Sequence, residues 1–421
     1  MTPPVTQPDA TRLPDFLARL DAFIDTEVRP LEEVDDNVRF LDHRREFART
    51  DVEAGGTARP EWEALLAEVR RRADAAGFFR WGLPTALGGG GATNVEMAAV
   101  REHLAHRGLG LHNDLQTEHS VVGNLVFVEL LTRFGTPEQQ DELVEASIRG
   151  EKGLSFALTE PDHGSDATWM TTRAERDGDG WLIEGTKRWN TLAPGTTHDV
   201  VFARTSGDDG AARGITAFLV PMDTPGLDVT SYWWTFNMPT DHAEVELRGV
   251  RVPGSAVLGE EGRGLDVVQA FVQENRIRQA ASSLGAAQYC LDRAVERARS
   301  RTTFGRPLAT RQGIQFPLVE LHTEAAMLRS LVRETAAALD AVRAAGDPPE
   351  TVGHLVSMCN YRANRLVCDA ADRAMQVFGG EGYSRHEPFE HIYRHHRRYR
   401  ITEGSEEIQM RRVAGRLFGF L

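Results

Sequence analysis

Apolar residues recur at three- and four-residue spacing along LPDFLARLDAFIDTEVRPL (13–31), which predicts a helix that stops at Pro30. A second helix opens at Pro60 in PEWEALLAEVRRRADAAG, and Gly77 stands where a terminating glycine belongs. GGGGATNVEMAAVREHLAHRG (88–108) reads as a flexible loop feeding a third helix. GTPEQQDELVEASIRG (135–150) carries Thr136, Pro137 and Gln139 in the order of a capping box with a proline start. The polar stretch 34–59 fits no period. Near residue 153 the pattern changes. GLSFALTE, GWLIEGTKRW, DVVFART, GITAFLVPM, LDVTSYWW and HAEVELRGVRV are short, rich in β-branched and aromatic residues, and punctuated by Gly, Asp and Pro. They predict an all-β unit of about 100 residues. After about 260 the helical period returns in 265–302, 316–346, 351–380 and ITEGSEEIQMRRVAGRLFGF (401–420). Four such runs joined by short loops predict a bundle.

The expected fold is therefore mostly α with a central β domain. An N-terminal helical domain (1–152) precedes a β-barrel-like middle domain (153–260) and a C-terminal four-helix bundle (261–421). No internal repeat or low-complexity tract interrupts this order.

A net charge of −14 argues against a nucleic-acid partner or an acidic membrane surface. The run IYRHHRRYR (392–400) is a local exception, read as a solvated or salt-bridged helix end. Three scattered cysteines, Cys290, Cys359 and Cys368, suit a reducing compartment without disulfides. MTPPVTQPDATRLPDF has no apolar core of a secretory leader, and no stretch reaches a membrane span, so a cytoplasmic location is expected.

Several familiar chemistries are unsupported. GGGGAT lacks the lysine of a phosphate loop, and no GxSxG elbow is present. His391 and His395 lie four apart, but HEPFEHIYRHH is not HExxH, so no metal site is expected. ALTEPDHGSD (157–166) is more informative. Pro161 and Gly164 force turns that present backbone N–H groups and the hydroxyls of Thr159 and Ser165 to a polar ring or a phosphate. In WNT (189–191) an indole and a hydroxyl share one face of a strand. Near the C-terminus, YRITEGSEEIQM (399–410) holds Glu403, Glu406 and Glu407, read as one residue for chemistry with the others as surface charge or cofactor contacts.

Four segments in this order resemble the acyl-CoA dehydrogenase family, from about residue 60 to the end. They are SFALTEPDHGSD with GTKRWNT, RTTFGRPLATRQ (301–312), QVFGGEGY (376–383) and ITEGSEEIQ (401–409). The resemblance implies FAD as cofactor and an acyl-CoA, or acyl-carrier, thioester as substrate. Phe156, Leu158 and Thr159 are similar to contacts at the flavin pyrimidine edge, and Ser165 to a serine near the flavin diphosphate and the thioester. Trp189 resembles the indole against the isoalloxazine, and Thr191 the hydroxyl at N5. Arg301, Thr303, Phe304 and Gln312 resemble contacts to the adenosine-diphosphate part of a flavin held mainly by a neighbouring subunit. Gln376, Phe378, Gly379 and Gly380 belong to the same implied set. Arg276 matches the arginine of the acyl-CoA pocket. Glu403 aligns with the catalytic base, Gly404 with the glycine at the thioester, and Ser405 and Glu407 with flavin-nucleotide contacts, leaving Glu406 as surface charge.

The implied reaction is α,β-dehydrogenation to a trans-2-enoyl thioester, with electrons passed to an electron-transferring flavoprotein by a homotetramer or homodimer. Departures are His163 and Asp162 for Gly-Ala, Asn190 for Ile, and Glu407 for Gln. The alternatives are a flavin-dependent oxidase or monooxygenase on the same scaffold, a carrier-protein thioester as substrate, or a non-catalytic acyl-thioester binding protein.

Overall fold

The computed structural model describes residues 12–113 and 120–420. The N-terminal stretch 1–11, which bears on the leader reading, lies outside them. Helix α1 (Arg12–Phe23) does not stop at Pro30. It passes through a wider π-turn, Ile24–Val28, into a further turn, Arg29–Glu33, with Pro30 at its start. A proline is tolerated there because its missing N–H falls among the donors a helix start leaves unused. Helix α2 (Pro60–Ala75) ends as expected, with Gly77 at φ +79°.

The region 34–59 forms short helical turns and a two-stranded hairpin, Thr50–Asp51 with Thr57–Ala58. Gly56 at its tip accepts a bond from Thr240 N at 2.8 Å, and His43 stacks on His391 at 4.1 Å. The stretch thus ties the N-terminal part to both later parts.

Helix α3 (Asn94–His106) starts with a capping box between Thr93 and Glu96. The glycine run before it is packed, not flexible: a Cβ on Gly90 would fall 2.2 Å from the Trp81 ring. Helices α4 (Val126–Phe134) and α5 (Pro137–Ile148) follow, and α5 has the expected Thr136–Gln139 box.

The middle section is one eight-stranded sheet. Its strands are β1 (Leu154–Ala157), β2 (Arg173–Asp177), β3 (Gly180–Thr191), β4 (His198–Arg204), β5 (Ile215–Pro221), β6 (Leu227–Tyr232), β7 (His242–Pro253) and β8 (Val257–Leu258). The order is β8-β5-β4-β2-β3-β7-β6, and β1 pairs in parallel with β4. The polar strand β2 carries too little alternation to be read from sequence. Trp181, Phe218, Val201 and Val245 fill one side of the sheet. Val200, Phe202 and Leu219 face the other way, against Leu131, Leu143, Val267 and Val268.

The remaining chain forms α6 (Gly264–Ser300), α7 (Gln312–Ala345), α8 (Gly353–Phe378), α9 (Phe389–Arg398) and α10 (Glu406–Phe418). The fourth predicted run is helical only over α10, and α9 is an addition to the reading. Helix α9 carries most of the basic run; His395 and His396 are buried, and Arg394 and Arg400 pair with Glu390 and Glu406, so the run is salt-bridged rather than solvated. Helix α3 packs against α6 so closely that a Cβ on Gly285 would sit 2.2 Å from the Glu102 carbonyl. Among the described residues no helix is long and apolar enough to cross a membrane.

Candidate active site

Glu403 lies in the short connection between α9 and α10, in left-handed backbone at φ +57°, followed by Gly404 at φ +84°. Such a pair needs outside support. Arg276 of α6 supplies it: its Nε donates to the Glu403 carbonyl at 2.9 Å and Nη2 donates to the same oxygen. Gly404 is required here, because a Cβ would meet that guanidinium at 2.7 Å. Burial pushes the Glu403 carboxyl up to about 7, outweighing the Arg276 and Arg398 cations that pull it down. A carboxyl titrating near neutrality is suited to general-base work.

A buried amide chain fixes the same loop and was not visible in the sequence. Gln409 of α10 donates to the Gly404 carbonyl at 2.8 Å and to Asn360 Oδ1 at 3.0 Å. Asn364 donates to Asn360 Oδ1 at 3.0 Å and to the Tyr399 carbonyl at 3.1 Å. Ser283 links Asn364 to His396. Lone Asn and Gln residues inside helices carry no motif.

A continuous helix would put positions 403, 406 and 407 on one face, but the left-handed turn at Glu403 and Gly404 separates them. Glu406 corrects the surface-charge expectation: it is 4% exposed and paired with Arg365 and Arg400. Glu407 is exposed on the first turn of α10, and Ser405 is the residue before that helix.

At the sheet, Trp189 is 43% exposed and sits at φ +66° on a bulge between Arg188 and Asn190. Its indole lies 5.0 Å from the Trp233 ring. Thr191 is exposed on the same side, and its hydroxyl lies 3.1 Å from His242 Nδ1. Asn190 points inward and donates to Asp199 at 2.6 Å, and Ser155 donates to the same carboxylate at 2.7 Å. Burial raises the Asp199 carboxyl to about 6 against those two donors. The loop that holds Leu158, Thr159 and Ser165 is anchored by Lys187, which donates to the Leu158 carbonyl and to Glu160. Burial pushes Glu160 up, but Lys187 and the Thr172 and Thr171 donors bring it down to about 2. Thr159 O accepts from Arg188 N at 2.9 Å, and Ser165 is exposed. Phe156 stacks on Phe271 of α6 at 4.2 Å.

The third set lies elsewhere. Arg301 follows the last residue of α6, Phe304 is 96% exposed, and Gln312 opens α7. Gln376, Gly379 and Gly380 are exposed at the end of α8, beside them because Arg297 pairs with Glu381. Thr303 is half-buried in the same turn. Phe378 differs from its neighbours: its ring is buried against Phe389 at 4.8 Å. Only its backbone remains for a ligand. At 1.5 Å per residue, Arg276 and Arg301 stand about 37 Å apart along α6. One chain therefore brings Arg276 and Glu403 together, and holds the 301–312 and 376–380 turns far from them.

The exposed indole, the hydroxyls beside it and the anchored 157–165 loop fit the flat ring of a flavin, which stacks on one face and accepts hydrogen bonds along its edge. Phe304 and the open glycine pair fit an adenosine end.

Three family descriptions together span nearly the whole chain. Acyl-CoA dehydrogenase N-terminal, middle and C-terminal domains match residues 32–151, 155–250 and 262–418. The chain is 31% identical over 381 residues to the 3-(aryl)acrylate reductase of Clostridium sporogenes, covering 89% of this chain and 96% of that one. It is 34% identical over 352 residues to the mitochondrial short-chain specific acyl-CoA dehydrogenase of Bos taurus, covering 83% and 82%. A glutaryl-CoA dehydrogenase of Mycobacterium smegmatis, solved in complex with FADH2, superposes with a TM-score of 0.76 at 25% identity over 98% and 97% of the two chains. The chain belongs to the acyl-CoA dehydrogenase family.

Proposed function

We propose that this oxidoreductase uses FAD to convert an acyl-CoA thioester into its trans-2-enoyl-CoA, with Glu403 as the base that removes the α-proton. The observation that carries this is a carboxyl raised to about 7 in a left-handed turn whose carbonyl is clamped by Arg276. Bound FAD supplies the acceptor for the β-hydride. Around it, Trp189 gives a stacking face, Thr191 and Thr159 give hydroxyls at the ring edge, and Phe156 and Leu158 give backbone groups. Ser165, Arg276 and Gly404 face the thioester. Ser405, Glu407 and the turns holding Arg301, Thr303, Phe304, Gln312, Gln376, Gly379 and Gly380 contact the nucleotide end.

Because about 37 Å of α6 separates Arg276 from Arg301, the contacts from the 301–312 and 376–380 turns come from a second copy of the chain, while Ser405 and Glu407 stay beside Glu403. The assembly is a homodimer or homotetramer, and electrons leave to an electron-transferring flavoprotein. Glu403 works in either direction by microscopic reversibility, so a reduced enzyme acting on an enoyl thioester is the same reading. A Glu403 carboxyl in place speaks against the monooxygenase alternative.

An anaerobic visible spectrum tests this. A yellow protein that bleaches with saturated acyl-CoAs, and whose Glu403→Gln variant stays yellow without bleaching, supports it. A protein that cannot be loaded with FAD overturns it.

A further inference from the structure

One face of α6 runs from the flavin side of the site to the base. Phe271, Val272, Asn275, Arg276 and Gln279 occupy it at helical spacing. Phe271 touches Phe156 at one margin, and Arg276 holds the Glu403 carbonyl at the other. A substrate lying between flavin and base passes over Asn275, which stands between those two, and reaches Gln279 about one turn beyond Arg276.

The orientation of both amides is dictated by their neighbours. Arg278 can only donate, and it donates to Asn124 Oδ1, so Asn124 Nδ2 is the donor to Asn275 Oδ1 at 3.1 Å. Asn364 donates to the Tyr399 carbonyl and, with Gln409, to Asn360 Oδ1. Asn360 Nδ2 is therefore the donor to Gln279 Oε1 at 3.2 Å and to the Arg276 carbonyl at 2.9 Å. Each amide has its oxygen occupied and its NH2 turned the other way. Among the described residues, neither NH2 has a hydrogen-bond partner, although Asn275 is only 7% exposed. A donor covered without an acceptor loses its hydrogen bonds to water and gains nothing in return. A hydrocarbon chain laid over these groups incurs that cost, whereas an oxygen avoids it.

The cations nearby are already engaged. Arg276 is on the Glu403 carbonyl and within reach of Ser357, and Arg278 is on Asn124, Glu129 and Glu274. Arg278 is balanced by Glu129 and Glu274, and a carboxylate on the acyl chain would lie beside Glu403, which must ionise to act as a base, so a neutral oxygen suits the face better.

Resting on the acyl-thioester reading above, we propose that the acyl group carries a neutral oxygen acceptor, a hydroxyl or a keto group, bound by the side-chain NH2 groups of Asn275 and Gln279.

The test uses the full-length FAD-loaded enzyme and acyl-CoAs of matched length: unsubstituted, hydroxylated, keto-bearing and ω-carboxylated. The expected result is a kcat/KM about 10²-fold higher for the best hydroxy- or keto-acyl-CoA than for the unsubstituted chain, with the carboxylated chain no better than the unsubstituted one. Asn275→Leu and Gln279→Leu are expected to reduce that ratio at least tenfold. An unsubstituted or carboxylated chain preferred by the wild-type enzyme overturns the inference and leaves the dehydrogenase reading in place. A ratio unmoved in both variants also overturns it. A yellow enzyme that none of these thioesters bleaches overturns the dehydrogenase reading itself.

Discussion

Replacing Glu403 by Gln keeps the volume of the side chain and removes its ability to take a proton. The expected loss is about 10²–10⁴-fold in kcat, with flavin binding unchanged, measured by stopped-flow bleaching. In the wild-type enzyme kcat/KM should rise with pH through about 7, as the carboxyl ionises. Stability should move the opposite way. The folded state keeps this proton up to about 7 and the unfolded chain releases it near 4.5, so ionisation disfavours folding between those values as pH rises. Glu403→Gln should therefore raise the melting temperature at pH 8 relative to wild type, with the difference gone at pH 4. Glu403 was legible because a glycine follows it within a distinctive motif. Glu406 was not, because its role depends on Arg365, 41 residues away, which no local pattern joins to it. Asn275 and Gln279 were invisible for a similar reason: their orientation is set by partners on other elements.

Among the elements, β3 joins sheet and site through Lys187, which is fully buried against Glu160. Lys187→Met removes one charge and leaves the other without its partner. The expected cost is about 3–5 kcal/mol in urea unfolding, together with weaker FAD retention as the 157–165 loop loses its anchor. Gln409→Leu strands the Gly404 carbonyl and leaves Asn360 Oδ1 with Asn364 as its donor. It should cost about 1–3 kcal/mol and lower kcat, while Gln409→Glu, which keeps an oxygen but loses the NH2, should rescue neither. The caps of α2 and α5 were readable because capping is a contact between near neighbours in sequence. Pro30 misled, since a π-turn before it lets the helical path continue. The fourth bundle helix was misjudged because the left-handed turn at Glu403 and Gly404 interrupts an otherwise helical run.

At the scale of the whole molecule, the division of the chain into helical, sheet and helical parts follows from a change in hydrophobic period, which is a long-range property. The 265–302 run was readable as one long helix, and its unbroken length in the structure supports the proposal of two half-sites. It leads to a mixing experiment. Combining Glu403→Gln chains with Arg301→Ala/Gln376→Ala chains, after dissociation and reassembly, should recover up to about a quarter of wild-type activity, because one kind of hybrid site has both halves intact. Activity that stays at the level of the separate variants counts against shared sites. The backbone at Glu403 then takes on a wider meaning. A left-handed residue is replaced by glycine with little strain. On the proposed mechanism a duplicated copy of this chain stands one substitution from catalytic silence without loss of its fold, and in a shared site such a copy would still lend its distal turns to an active sister. The architecture makes a division of labour between paralogues, one reacting and one only supporting, an easy evolutionary step.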